Sequence, residues 1–163
     1  MELYATHYQG RTIITVLRLI GKLDALSYLD LIEKVKQVFS QGTRQIVLDL
    51  SGVAYISSAG LMALHYAATL LRGAAPIDPE AGWGALHAFA DDAPGEMQRN
   101  LKLLNPQAQI RQTLERVKFT TFLDVYSNLD DAISSFSPLA DQGGAAERRE
   151  RYIQSFKNDP PAA

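Results

Sequence analysis

Two adjacent serines, Ser57 and Ser58, stand at the head of the run Ala59-Gly60-Leu61-Met62-Ala63-Leu64-His65-Tyr66-Ala67-Ala68-Thr69-Leu70-Leu71, which has helical propensity and is apolar nearly all round. A helix start leaves backbone N–H groups unpaired at the positive end of the helix dipole. A hydroxyl there either caps the helix or is an exposed group able to carry a phosphate. Serine is among the commonest N-caps, so a capping role for Ser57 or Ser58 is the plainer reading, and the two roles are compatible. Other chemistry is poorly supplied. The chain has no cysteine, which excludes disulfides, thiolate catalysis and cysteine-based metal sites. His7, His65 and His87 are far apart and show no HExxH or paired-ligand spacing, so no metal site is expected. There is no GxGxxG or GxxxxGK[ST] phosphate loop, and Ser58 does not sit in a Gly-x-Ser-x-Gly elbow. Neither a catalytic residue nor a cofactor is expected.

The elements that position these serines follow from hydrophobic periodicity. Leu3 to Tyr8, a turn at Gln9-Gly10-Arg11, and the β-branched run from Thr12 to Leu19 predict two strands joined tightly. Gly21-Lys22-Leu23-Asp24 breaks the second, and from Leu26 the residues Leu29, Ile32, Val35, Val38 and Phe39 predict an amphipathic helix closed by Gln41-Gly42. Gln45 to Leu50 is a short continuous apolar run, as in a central strand buried on both faces. The helix behind Ser58 follows. From Gly73 to Arg99 the chain turns rich in glycine, proline and acidic residues. Trp83, Leu86 and Phe89 recur there at helical spacing, either to cover the sheet edge or to anchor a partner. Order resumes with a strand at Leu101–Leu104, a helix over Ala108–Val117, a strand at Phe122–Tyr126 and a short helix at Leu129–Ile133 capped from Ser127-Asn128. The tail beyond Pro138 reads as mobile, with a marginal helix around Ala145 to Phe156. Strands joined through helices make the class α/β, a mixed sheet of about five strands with about four helices packed on it.

Composition narrows the rest. A chain of 163 residues, 47% hydrophobic and 21% charged, can bury one sizeable core. A net charge of −2 supplies no basic field for nucleic acid. MELYATHYQG has neither the basic flank nor the apolar core of a targeting segment, and no run approaches the roughly 18 apolar residues of a membrane span. Read together with the absence of cysteine, this predicts a cytoplasmic protein.

The run Ile46-Val47-Leu48-Asp49-Leu50-Ser51-Gly52-Val53 with Tyr55-Ile56-Ser57-Ser58-Ala59-Gly60-Leu61, preceded by Gly21-Lys22-Leu23-Asp24, resembles the STAS domain of bacterial anti-sigma factor antagonists. The resemblance covers roughly residues 3–72 and 100–137. It implies one STAS-like domain over 1–137, a long insertion at about 73–99, and a tail at 138–163. It implies a non-catalytic signalling switch that binds an anti-sigma factor that is also a serine kinase. In such a switch the serine two places before the motif glycine, here Ser58 before Gly60, is the phosphoacceptor. Asp24, Ser57, Ala59, Gly60 and Met62 would then form the partner surface, with a capping role for Asp24 at the first helix as the alternative. Two positions depart from the family pattern: Ser57 replaces a frequent aspartate, and Ala59 a frequent serine or threonine. A rival reading is a constitutive STAS scaffold subunit of a transporter or signalling assembly, with Ser58 unmodified. The sequence leaves the oligomeric state open, a homodimer included, and names no sigma factor.

Overall fold

The computed structural model describes residues 1–9, 12–74 and 98–136. Trp83, Leu86, His87, Phe89 and the tail helix expected around 145–156 lie outside the described residues. Strands β1 (Glu2–Gln9) and β2 (Ile13–Leu23) form an antiparallel pair, and α1 (Tyr28–Ser40), β3 (Gln45–Ile56) and α2 (Ser58–Leu71) follow. Then come β4 (Leu101–Leu104), α3 (Ala108–Arg116), a 3-10 turn (Phe119–Thr121), β5 (Asp124–Tyr126) and α4 (Leu129–Ser134). The sheet order is β1-β2-β3-β4-β5, parallel from β2 onward, so the α/β class and the mixed five-stranded sheet hold.

Alternation along the strands divides the core in two. Leu17 and Leu19 of β2, Ile46, Leu48 and Leu50 of β3, and Leu101 and Leu103 of β4 are fully buried in one cluster with α1, α2 and α3. On the opposite face Tyr8, Ile14, Val16, Val47 and Leu104 pack with Ala132 and Ile133 of α4. The short α4 is held by Asn128, whose side-chain oxygen accepts from the Asp130 and Asp131 amides at 2.8 and 3.3 Å. At the far end of α2 the Asn100 side-chain amide donates to the Leu71 carbonyl at 3.0 Å, tying the two ends of the Gly73–Arg99 excursion together.

Four sequence expectations shift. Gly21 does not break β2: its φ of +119° is absorbed as an irregularity, and pairing with β3 continues to Leu23. β3 likewise runs on past Leu50 to Ile56 beside that extension, with Gly52 so close to β2 that a Cβ there would stand 2.8 Å from the Leu19 carbonyl oxygen. The first helix begins at Tyr28, not Leu26. The Asp24 carbonyl accepts from the Ser27 and Tyr28 amides, making 24–27 a turn of its own. The buried stripe of α1 is therefore Leu31, Ile32, Val35 and Val38, leaving Leu26 and Leu29 outside. The last strand also shortens to Asp124–Tyr126, because Phe122 and Leu123 close the 3-10 turn.

Lys102 lies in a strand flanked on both sides and is 6% exposed. Its ammonium pairs with the carboxylate of Asp124, its register partner on β5, at 2.7 Å, and sits 5.7 Å from the Phe136 ring centroid. Asp124→Asn should cost about 2–3 kcal/mol by stranding that ammonium, and Lys102→Met less, since an apolar replacement needs no partner. Urea unfolding of the two variants checks this, and the reverse order would contradict it.

Candidate functional site

The site grows from the point where β2 and β3 end together. Leu23 and Ile56 are register partners, and the next residue, Ser57, donates its backbone N–H to the Leu23 carbonyl at 2.9 Å. Asp24 and the Ser57-Ser58 pair therefore leave the carboxyl ends of two adjacent parallel strands side by side, a place where open α/β sheets collect functional residues.

The two serines divide the work. Ser57 is extended, with φ −97° and ψ 176°, and its hydroxyl accepts from the Gly60 amide at 3.3 Å while its carbonyl accepts from the Leu61 amide at 2.9 Å. It is the N-cap of α2. Ser58 is the first helical residue. It is half-buried, and among the described residues its hydroxyl has no hydrogen-bond partner. The first turn of α2 holds no acidic side chain, so nothing there opposes negative charge at the positive end of the helix.

Gly60 sets how closely this helix approaches the sheet. A Cβ at Gly60 would overlap the Leu23 carbonyl oxygen and crowd the Leu23 and Ile56 side chains at 2.9 Å. Gly60 is buried, so it belongs to the foundation under the surface and not to the surface itself. Ala59 and Met62 are half-buried, and Met62 follows Ser58 by one helical turn on the same face.

Asp24 organises the neighbouring turn. Its Oδ1 accepts from the Leu26 amide at 2.9 Å, and its own amide donates to the Ser27 hydroxyl at 3.0 Å, which in turn donates to the Lys22 carbonyl at 2.6 Å. Ser27, and not Asp24, occupies the N-cap position of α1. The aspartate is half-buried, and among the described residues its Oδ2 accepts no hydrogen bond.

Sequence reasoning missed three residues here. Leu26 is 93% exposed and Leu29 44%, both just after Asp24 in the chain, and Tyr55, three residues before Ser58, is 52% exposed. The signal for Leu26 was the pair Asp24 and Ser27, both turn formers, which mark 24–27 as a turn with Leu26 in it. Tyr55 and Leu29 carried no such signal. Further along α2, His65 is buried and bonded through Nε2 to the Thr69 hydroxyl at 2.9 Å, while the exposed His7 on β1 bonds Thr15. Burial, aided by the Arg72 charge, pulls the His65 pKa from 6.5 down to about 4.

Ser57→Ala should lower stability by about 1 kcal/mol through loss of the cap, whereas Ser58→Ala should change it by less than about 0.5 kcal/mol. Chemical denaturation of both checks the division, and equal effects would contradict it. For His65, the unfolded chain takes up a proton between pH 6.5 and about 4 that the folded chain does not. Its contribution is therefore full above pH 6.5 and is lost as pH falls toward 4. His65→Gln should flatten the acid-side fall of the urea midpoint, and an unchanged slope would contradict this.

The family model of the STAS domain matches residues 5–75. No curated protein sequence matches the chain significantly. Among solved structures, an anti-sigma factor antagonist from Mycobacterium paratuberculosis aligns with a TM-score of 0.51 at 16% identity, over 82% of this chain and 93% of that one. The phosphorylated form of the Bacillus cell fate determinant SpoIIAA aligns with a TM-score of 0.51 at 16% identity, over 82% of this chain and 99% of that one. At such identity the likeness is one of fold. Among the described residues no helix is long and apolar enough to cross a membrane. The match to the STAS domain model falls on the segment that carries Asp24, Ser57, Ser58 and Gly60, and the sheet around it shares the fold of those structures.

Proposed function

We propose that this protein is a non-catalytic switch, an anti-sigma factor antagonist that binds an anti-sigma factor acting also as a serine kinase and is released by phosphorylation of Ser58. The observation that carries the reading is the division between the serines. Ser57 is consumed as the cap, and Ser58 has, among the described residues, an unpartnered hydroxyl at the helix start. The fold shared with anti-sigma factor antagonists supports it.

The physics of the switch follows from the surroundings of Ser58. Leu26, Leu29 and Tyr55 offer apolar area for a partner to cover, with Asp24, Ala59 and Met62 beside them. A phosphate would bring about −1.5 to −2 charges into that contact, where a neutral hydroxyl had been, at a large desolvation cost. The helix dipole stabilises the same charge within the free protein, so the phosphorylated chain stays folded while the complex is lost.

Titration against the cognate anti-sigma factor tests the reading. Wild type and Ser58→Ala should bind alike, Ser58→Asp at least about tenfold more weakly, and Leu26→Asp should also weaken binding. Equal affinity of Ser58→Asp and wild type would remove the switch. Copurification with a transporter or assembly subunit, with no anti-sigma factor bound, would favour the constitutive scaffold.

A further inference from the structure

β3 outlasts its neighbour on one side. β4 pairs with it only from Ile46 to Asp49, whereas pairing with β2 continues to Ile56. The edge of β3 beyond Asp49 needs hydrogen-bond donors from elsewhere. Two come from the start of α3. The Gln107 side-chain amide donates to the Ser51 carbonyl at 3.0 Å, and the Gln109 amide donates to the Ala54 carbonyl at 3.2 Å. Gln109 also donates to Gln107 Oε1 at 3.3 Å, joining the two into one clasp.

Helical residues two apart face different directions, yet these two reach one strand edge. Gln107 can do so because it is the extended residue before the helix, with φ −60° and ψ 155°, while Gln109 lies in the first turn. The base of the clasp is firm. Ile110 and Leu114 anchor α3 in the main core at 2% and 0% exposure, and Asn105 ahead of it bonds the Tyr126 carbonyl through its amide at 2.7 Å. The held segment leads straight into Tyr55, the Ser57 cap and Ser58. Its last stretch is bounded by a strand on one side and by two side-chain amides on the other.

We propose that Gln107 and Gln109 are positioning residues for the Ser58 site, setting the path by which β3 leaves the sheet and so the presentation of Tyr55 and Ser58 to the partner. The role rests on the reading of Ser58 as phosphoacceptor. It requires a donor at each position, because a carboxylate there would repel the carbonyl oxygens it must hold.

The full-length Gln107→Glu/Gln109→Glu double variant tests this against wild type and Gln109→Lys, which restores a donor. The readouts are backbone amide exchange over 53–58, thermal midpoint, affinity for the cognate anti-sigma factor kinase, and the rate of Ser58 phosphorylation. The double variant should exchange faster over 53–58 and lose about tenfold in both affinity and phosphorylation rate, with a midpoint near wild type and Gln109→Lys behaving as wild type. If the double variant does not fold, Gln109→Leu, at an exposed position, carries the same comparison. Unchanged exchange, or faster exchange with undiminished affinity and phosphorylation, would overturn the proposal. If wild type itself is never phosphorylated on Ser58, the functional reading fails, and the exchange data alone decide whether the clasp holds the segment.

Discussion

Everything at the functional end of this molecule hangs on the carbonyl of Leu23. It accepts the Ser57 amide at 2.9 Å, and it is the atom that any side chain at Gly60 would strike. One oxygen thus joins the end of β2 to the beginning of α2. The lack of a Cβ at Gly60 lets the helix come close enough for that bond to form. From this junction follow the side-by-side placement of Asp24 and the two serines and the burial of Leu23 and Ile56 beneath them. The exposed Leu26 and Tyr55 lie on the two chain segments that meet there.

The surrounding fold keeps that junction rigid with apolar packing on both sheet faces and a few paired polar groups. Fully buried leucines, isoleucines and valines from β2, β3 and β4 fill the layer under three helices, and α4 closes part of the other face. The buried polar side chains have partners. Lys102 is held by Asp124, Asp49 Oδ1 accepts the Ser51 amide at 3.0 Å, and Thr15 bonds Thr43 at 2.7 Å. Stability is thus concentrated in the sheet and the helices behind it, while Leu26, Leu29 and Tyr55 stay exposed on the segments that flank the junction.

Periodicity made most of the architecture legible. The strand at Gln45–Leu50, the apolar α2 and the Asn128 cap follow from local rules that the tertiary structure obeys. What misled was chemistry with two readings. Gly21 looks like a strand break, yet in a paired strand a positive φ is only an irregularity. Leu26 fits a helical stripe by spacing, yet the turn built by Asp24 and Ser27 removes it from the helix. At the site, the serines and Gly60 stood out in the chain itself, but which serine caps depends on backbone angles that composition does not encode. The glutamine clasp was invisible, because it joins residues about fifty positions apart through side chains with no distinctive local pattern.

The central claim is that Ser57 serves the fold and Ser58 serves the switch. Site-resolved peptide mass spectrometry of the protein isolated from its own host, in resting and stressed cultures, tests it most directly. Phosphate on Ser58 with occupancy that changes between the two conditions, and none on Ser57, is the predicted result. Phosphate on Ser57, or a Ser58 that stays unmodified in both conditions, would contradict it.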